Sequence, residues 1–122
     1  MPLTSYTSGQ TPVAQNVQYP FGGISQRAVA YLATIAETIA NETILDFAIL
    51  TGNATLNLTI ATGLPVGTKL HLKVPATATE TLALGTAIDA PTIVGVAGKT
   101  KVQSFYYNGT AFLPMGAVVQ ID

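Results

Sequence analysis

The sequence predicts an all-β protein: an antiparallel β-sandwich, jelly-roll-like and of about eight strands, behind an extended N-terminal arm. Three observations carry this expectation. Short runs dense in Thr, Ile, Leu and Val alternate with period two, as in "ATLNLTIA" and "TKLHLKV". Turn signals rich in Gly, Pro and Asn recur between the runs at a spacing of about ten residues. The first 26 residues carry no charged side chain and no sustained period, so the arm is expected over 1–26 and the sandwich domain over 27–122.

The arm, "MPLTSYTSGQTPVAQNVQYPFGGISQ", is rich in Ser, Thr, Gln, Pro and Gly. Disordered tails are commonly charged, whereas this segment spreads Val13, Val17, Tyr19 and Phe21 along an uncharged chain, the pattern of a segment that orders against a partner surface. Pro2, Pro12, Pro20, Gly22 and Gly23 are expected to keep it out of the sheet.

Residues 28–40 are ambiguous, because Ala28, Leu32, Ile35 and Ile39 fall at helical spacing while "TIAETIA" also reads as a strand. A strand over Thr34 to Ala40 is favoured, since a helix would stand alone among strands. "ETILDFAIL" and "ATLNLTIA" follow, separated by the turn signal Thr51-Gly52-Asn53. Beyond the turn at Leu64-Pro65-Val66-Gly67, "TKLHLKV" sends Leu70, Leu72 and Val74 one way and Lys69, His71 and Lys73 the other, the mark of a half-buried antiparallel strand with a basic outer face. "ETLALG", "PTIVGV" and "KTKVQSFYY" continue the rhythm.

The last run turns at Asn108-Gly109, a pair suited to a type I′ hairpin. A two-residue loop pairs Tyr107 with Thr110, Tyr106 with Ala111 and Phe105 with Phe112, placing Phe105, Tyr107 and Phe112 on one face and Val102, Ser104, Tyr106 and Leu113 on the other. Both sides are substantially apolar, so one faces the core and the other calls for a second partner. Phe105, Tyr107 and Phe112 are the expected oligomer-interface residues.

Composition points the same way. Hydrophobic residues make up 48% of the 122-residue chain and charged residues 9%, against about 25% charged in an ordinary soluble domain. No run approaches the roughly 18 apolar residues of a membrane span, so the excess is expected to meet another protein surface and not a lipid bilayer. A formal charge of -1 argues against nucleic-acid binding. The absence of cysteine removes disulfides, thiolate metal sites and cysteine nucleophiles. The opening "MPLTSYTSGQTP" has neither a basic nor an apolar leader region, and synthesis in the cytosol is expected.

Residues suited to chemistry are sparse. His71, the single histidine, sits between two lysines and reads as a solvated surface residue. Glu37, Glu42, Asp46, Glu80, Asp89 and Asp122 are scattered, and no Gly-x-Ser-x-Gly elbow or Gly-rich phosphate loop occurs. Asn-x-Thr sequons begin at Asn41, Asn53, Asn57 and Asn108, at turns and strands of a threonine-rich chain, and are read as coincidence. The expectation is no enzyme, no cofactor and no metal.

The segments "LTGNATLNLTI", "GTKLHLKV" and "GTAIDAPTIVGVAGKTKVQSFYYNGTAF" resemble the small β-sandwich virion structural proteins of tailed bacteriophages, of capsid decoration or head-fibre type, in the crAss-like phage group. The resemblance runs from about Thr34 to Asp122 and rests on turn glycines and alternating strands. It implies a non-catalytic virion protein on the capsid surface, a homo-oligomer with a trimer as the expected state, whose partners are itself and the major capsid protein or other virion proteins. On this reading Val13, Val17, Tyr19 and Phe21 belong to a capsid-attachment arm. The rival role is a carbohydrate- or receptor-binding module of a phage fibre, to which exposed aromatic rings would lend a stacking platform.

Overall fold

A computed structural model describes residues 24–122, which form ten strands in two packed sheets, with no helix among them. Val13, Val17, Tyr19 and Phe21 lie outside the described residues. The all-β sandwich is as the alternating runs predict, and residues 28–40 contribute strands.

The chain builds the sandwich by winding. It runs through β1 (Ser25–Val29), β2 (Thr34–Ile39), β3 (Thr43–Phe47), β4 (Ala54–Ile60), β5 (Lys69–Pro75) and β6 (Thr81–Leu84). Odd strands lie in one sheet and even strands in the other, so each connection carries the chain across the sandwich. Strands two apart in sequence therefore lie side by side and parallel: β1 with β3, β3 with β5, β2 with β4 and β4 with β6. β7 (Ile93–Val94), β8 (Thr100–Tyr107), β9 (Phe112–Pro114) and β10 (Val119–Gln120) close the far side antiparallel. The final orders are β1-β3-β5-β8-β10, with β9 also on β8, and β2-β4-β6-β7.

Two expectations are corrected here. The sheets are mixed, not antiparallel, because period-two alternation is common to both pairings and the connections 30–33, 40–42, 48–53, 61–68 and 76–80 arch between sheets instead of closing hairpins. Residues 25 and 26, assigned to the arm, belong to the sheet: Ser25 and Gln26 pair with Thr43 and Ile44.

Winding stacks inward side chains in ladders. Thr43, Leu70 and Phe105 align across one sheet, as do Leu45 and Leu72; across the other run Ile35, Leu56 and Leu84, and Ala54, Leu82 and Ile93. Leu45, Leu56, Leu70, Leu82, Phe105 and Phe112 have no exposed surface. Each such side chain contributes about 1.5–3 kcal/mol on burial. Thr43, the one buried polar residue among those described, donates its hydroxyl to the Asn41 carbonyl at 3.0 Å.

The asparagines of the sequons close the coils. Asn53 Oδ1 accepts the Thr81 N–H at 3.0 Å, Asn57 Oδ1 accepts the Thr86 N–H at 2.9 Å, and Asn41 Oδ1 accepts the Ser25 hydroxyl at 3.1 Å. Asn108 Oδ1 accepts from the N–H groups of Thr110 and Ala111, both at 2.9 Å. Because Asn108 bends the chain this way, with only Gly109 at positive φ (102°), the hairpin loop is 108–111 and not a two-residue type I′ turn. Tyr107 consequently pairs with Phe112, and Phe105 with Pro114. The slip is by two residues, which leaves the facing of every side chain unchanged.

Candidate functional site

The outer face of the larger sheet carries its polar side chains in adjacent rows. β5 is in register with β3 on one side and β8 on the other, so Ile44, His71 and Ser104 align, and Asp46, Lys73 and Val102 form the next row. Lys69 faces outward beside Tyr106. Glu42 precedes β3 at the same end.

Three of these residues form a hydrogen-bonded chain. His71 Nε2 lies 2.9 Å from Glu42 Oε2, and His71 Nδ1 lies 2.8 Å from Ser104 Oγ. One tautomer satisfies both: Nε2–H donates to the carboxylate while Nδ1 accepts the serine hydroxyl. The His71 and Glu42 side chains retain 31% and 32% exposure, so the chain is half-buried in the face. His71, expected to be a solvated surface residue, is thus only partly exposed and held by two partners. Sequence reasoning left Glu42 among scattered carboxylates and did not connect Ser104 with His71, because only the β5–β8 register and the 40–42 connection bring them to the imidazole. Alternation gave the outward direction of His71, and nothing local gave its pairing with Ser104.

The nitrogen order is the reverse of the hydrolytic Ser-His-Asp arrangement, in which Nε2 takes the serine proton and Nδ1 faces the acid. What the geometry does is orient Glu42. That carboxylate lines a groove of about 380 Å³ with Ala40, Asn41, Pro65, Val66, Gly67, Thr68 and Lys69. A shallower depression of about 230 Å³, lined by Val102, Ser104, Met115 and Val119 among others, lies at the opposite end of the relay. Lys73 and Asp46 sit 3.9 Å apart with side-chain exposures of 51% and 38%, a contact worth little in water. Among the described residues no three His, Asp or Glu side chains gather as a metal site would require.

The expected interface residues are placed elsewhere. Phe105 and Phe112 have no exposed surface and Tyr107 only 8%, all within the protein's own core, where the Tyr107 and Phe112 rings stand 5.4 Å apart and tilted by 42°. Together they leave almost no surface to offer another subunit. The hairpin's core side was misassigned because both of its faces are apolar. Its outward face carries Tyr106, 38% exposed, while Met115, just after β9, and Val119, on β10, are 52% and 53% exposed.

Comparison with protein families, curated proteins and solved structures gave no match to this chain.

Proposed function

We propose that the protein is a structural component of a bacteriophage virion, a capsid decoration or head-fibre base protein that assembles as a homo-oligomer, a trimer, on the capsid surface. It works by binding, without catalysis or cofactor. The observation that carries the reading is exposed apolar surface on a nearly uncharged chain: Tyr106, Met115 and Val119 stand out from the β8–β10 side, and only 9% of residues are charged. Buried apolar area is worth about 25 cal/mol per Å², so joining such surfaces between copies is favourable, and repeated weak contacts on a shell gain by multivalency. The resemblance seen in the strands and turn glycines supports the virion setting.

Two measurements test it. Light scattering of the purified protein at micromolar concentration is expected to give a multiple of 12.6 kDa; a monomer overturns self-assembly. Immunogold labelling of virions with antibody raised against the chain is expected over the capsid. Label confined to the tail, or its absence from virions, overturns the capsid role.

A further inference from the structure

We propose that the groove between the 40–42 connection and the 65–69 loop binds a neutral saccharide, whose adjacent hydroxyls are held by Glu42 and Lys69. The proposal rests on this groove and not on the assembly role, and it gives the rival saccharide-binding expectation a definite locus.

Charge selects the ligand class. Glu42 and Lys69 line the same groove. Glu42 Oε2 is engaged by His71, while Oε1 makes no hydrogen bond among the described residues. Lys69 is exposed and forms no ion pair among them. An anion would be repelled by the carboxylate and a cation by the ammonium. A neutral diol meets both, one hydroxyl donating to Glu42 and its neighbour accepting from Lys69. Ala40, Pro65 and Val66 supply an apolar wall for the C–H face of a sugar ring, and Tyr106 adds an exposed aromatic ring next to Lys69 across the β5–β8 register.

The site is also pre-organised. The 65–69 loop is tied down by Gly67 N–H to the Tyr107 carbonyl at 2.8 Å, by Tyr107 N–H to the Thr68 carbonyl at 2.8 Å, and by the Thr68 hydroxyl to the Pro65 carbonyl at 2.7 Å. On the opposite wall Glu42 is fixed through His71, which is fixed through Ser104. The backbone of one wall and the carboxylate of the other are therefore held before a ligand arrives, which lowers the entropic cost of binding. His71 is thus a positioning residue: it touches the carboxylate and not the sugar.

The test is an NMR titration of the isotopically labelled full chain with glucose, galactose and mannose. At least one hexose is expected to give saturable shifts confined to residues 40–42, residues 65–69 and Tyr106, with a Kd on the order of 1–10 mM. Glu42→Gln and Lys69→Ala should each weaken binding about tenfold. His71→Ala should weaken it several-fold and His71→Gln restore it, because a glutamine N–H can replace the donor to Glu42. Asp46→Asn, on the same face but outside the groove, should leave it unchanged. No saturable shift with any of the three sugars overturns the proposal. So does equal loss with Asp46→Asn, or occupation of the groove by glycine or inorganic phosphate in preference to the hexoses. Circular dichroism of each variant establishes that it is folded, and Lys69→Ala, at an exposed position, keeps the test decisive should Glu42→Gln unfold.

Discussion

Phe112 joins the hairpin to the core at the level of a single residue. It is fully buried, paired in register with Tyr107, and its backbone N–H donates to the Ala87 carbonyl at 2.8 Å. Truncating such a ring costs both the transfer energy and a cavity, so Phe112→Ala should lower unfolding free energy by about 3–5 kcal/mol in a denaturant titration. Because the ring lies inside its own subunit, the variant that remains folded should keep the wild-type oligomeric state in light scattering. Glu80 offers a test of pH dependence. Its carboxylate accepts the Thr77 hydroxyl at 2.5 Å and the Ala78 N–H at 2.7 Å, and these bonds, the Thr77 one foremost, hold its pKa below the ordinary carboxylate value. A folded-state pKa that is depressed contributes stability above the unfolded value, about 4.3, and loses it as pH falls through the folded value. The wild-type advantage over Glu80→Gln should therefore be constant at neutral pH and shrink in acid, as read from denaturation midpoints across pH. The contribution is small, since the group is solvent-exposed.

At the scale of elements, the sequence showed direction wherever one face of a strand is polar, and it hid pairing. Leu70, Leu72 and Val74 point inward and Lys69, His71 and Lys73 outward, as their alternation requires. That alternation is blind to whether the neighbouring strand is parallel. The neighbour is set by the length and bonding of connections such as 48–53 and 61–68, whose turn residues look the same whether the chain closes a hairpin or arches to the other sheet. The candidate site was hidden for the same reason, since Glu42, His71 and Ser104 meet only through strand order. The smaller sheet explains the threonine-rich composition: Thr34 pairs with Thr55 and Thr38 with Thr59 on its outer face, where branched side chains suit the pleat. Two predictions belong here. At β7 the chain passes so close to the 76–80 connection that a Cβ on Gly95 would lie 2.6 Å from Ala76 Cβ and 2.7 Å from the Glu80 carbonyl oxygen. Gly95→Ala should cost about 1–3 kcal/mol of stability by denaturant titration, as overpacking does. The first coil is different, for β1 and β2 each end a sheet order, and between them Arg27 and Glu37 occupy inward positions in a 3.0 Å ion pair. Arg27 also donates to the Thr38 carbonyl at 3.0 Å. Inward charge is one way sheets discourage unwanted edge pairing. Replacing both with leucine should change stability by no more than about 1 kcal/mol, yet raise concentration-dependent association in dynamic light scattering.

For the whole molecule, the two-sheet winding and the proposed attachment role divide the chain at one place. β1 begins at Ser25 and is bonded into the larger sheet along its length, with Ser25 N–H donating to the Glu42 carbonyl at 2.9 Å and Val29 packed in the core. The core ladders of both sheets are built from residues beyond that point, and every buried hydrophobic residue described lies from Val29 onward. The preceding segment carries Val13, Val17, Tyr19 and Phe21 without a single charge. A contact that orders such a segment must repay roughly 1–2 kcal/mol of backbone entropy per residue, which favours a few apolar anchors seated in a partner over a uniform polar contact. Deleting residues 2–24 should accordingly leave the β-sheet circular dichroism and the denaturation midpoint near those of the full chain, while sharply lowering recovery of the protein on purified particles. Loss of the β-sheet signal on deletion would assign the segment to the fold. Full occupancy of particles by the truncated chain would move attachment to the sandwich itself, with Tyr106, Met115 and Val119 as the first residues to exchange for polar ones.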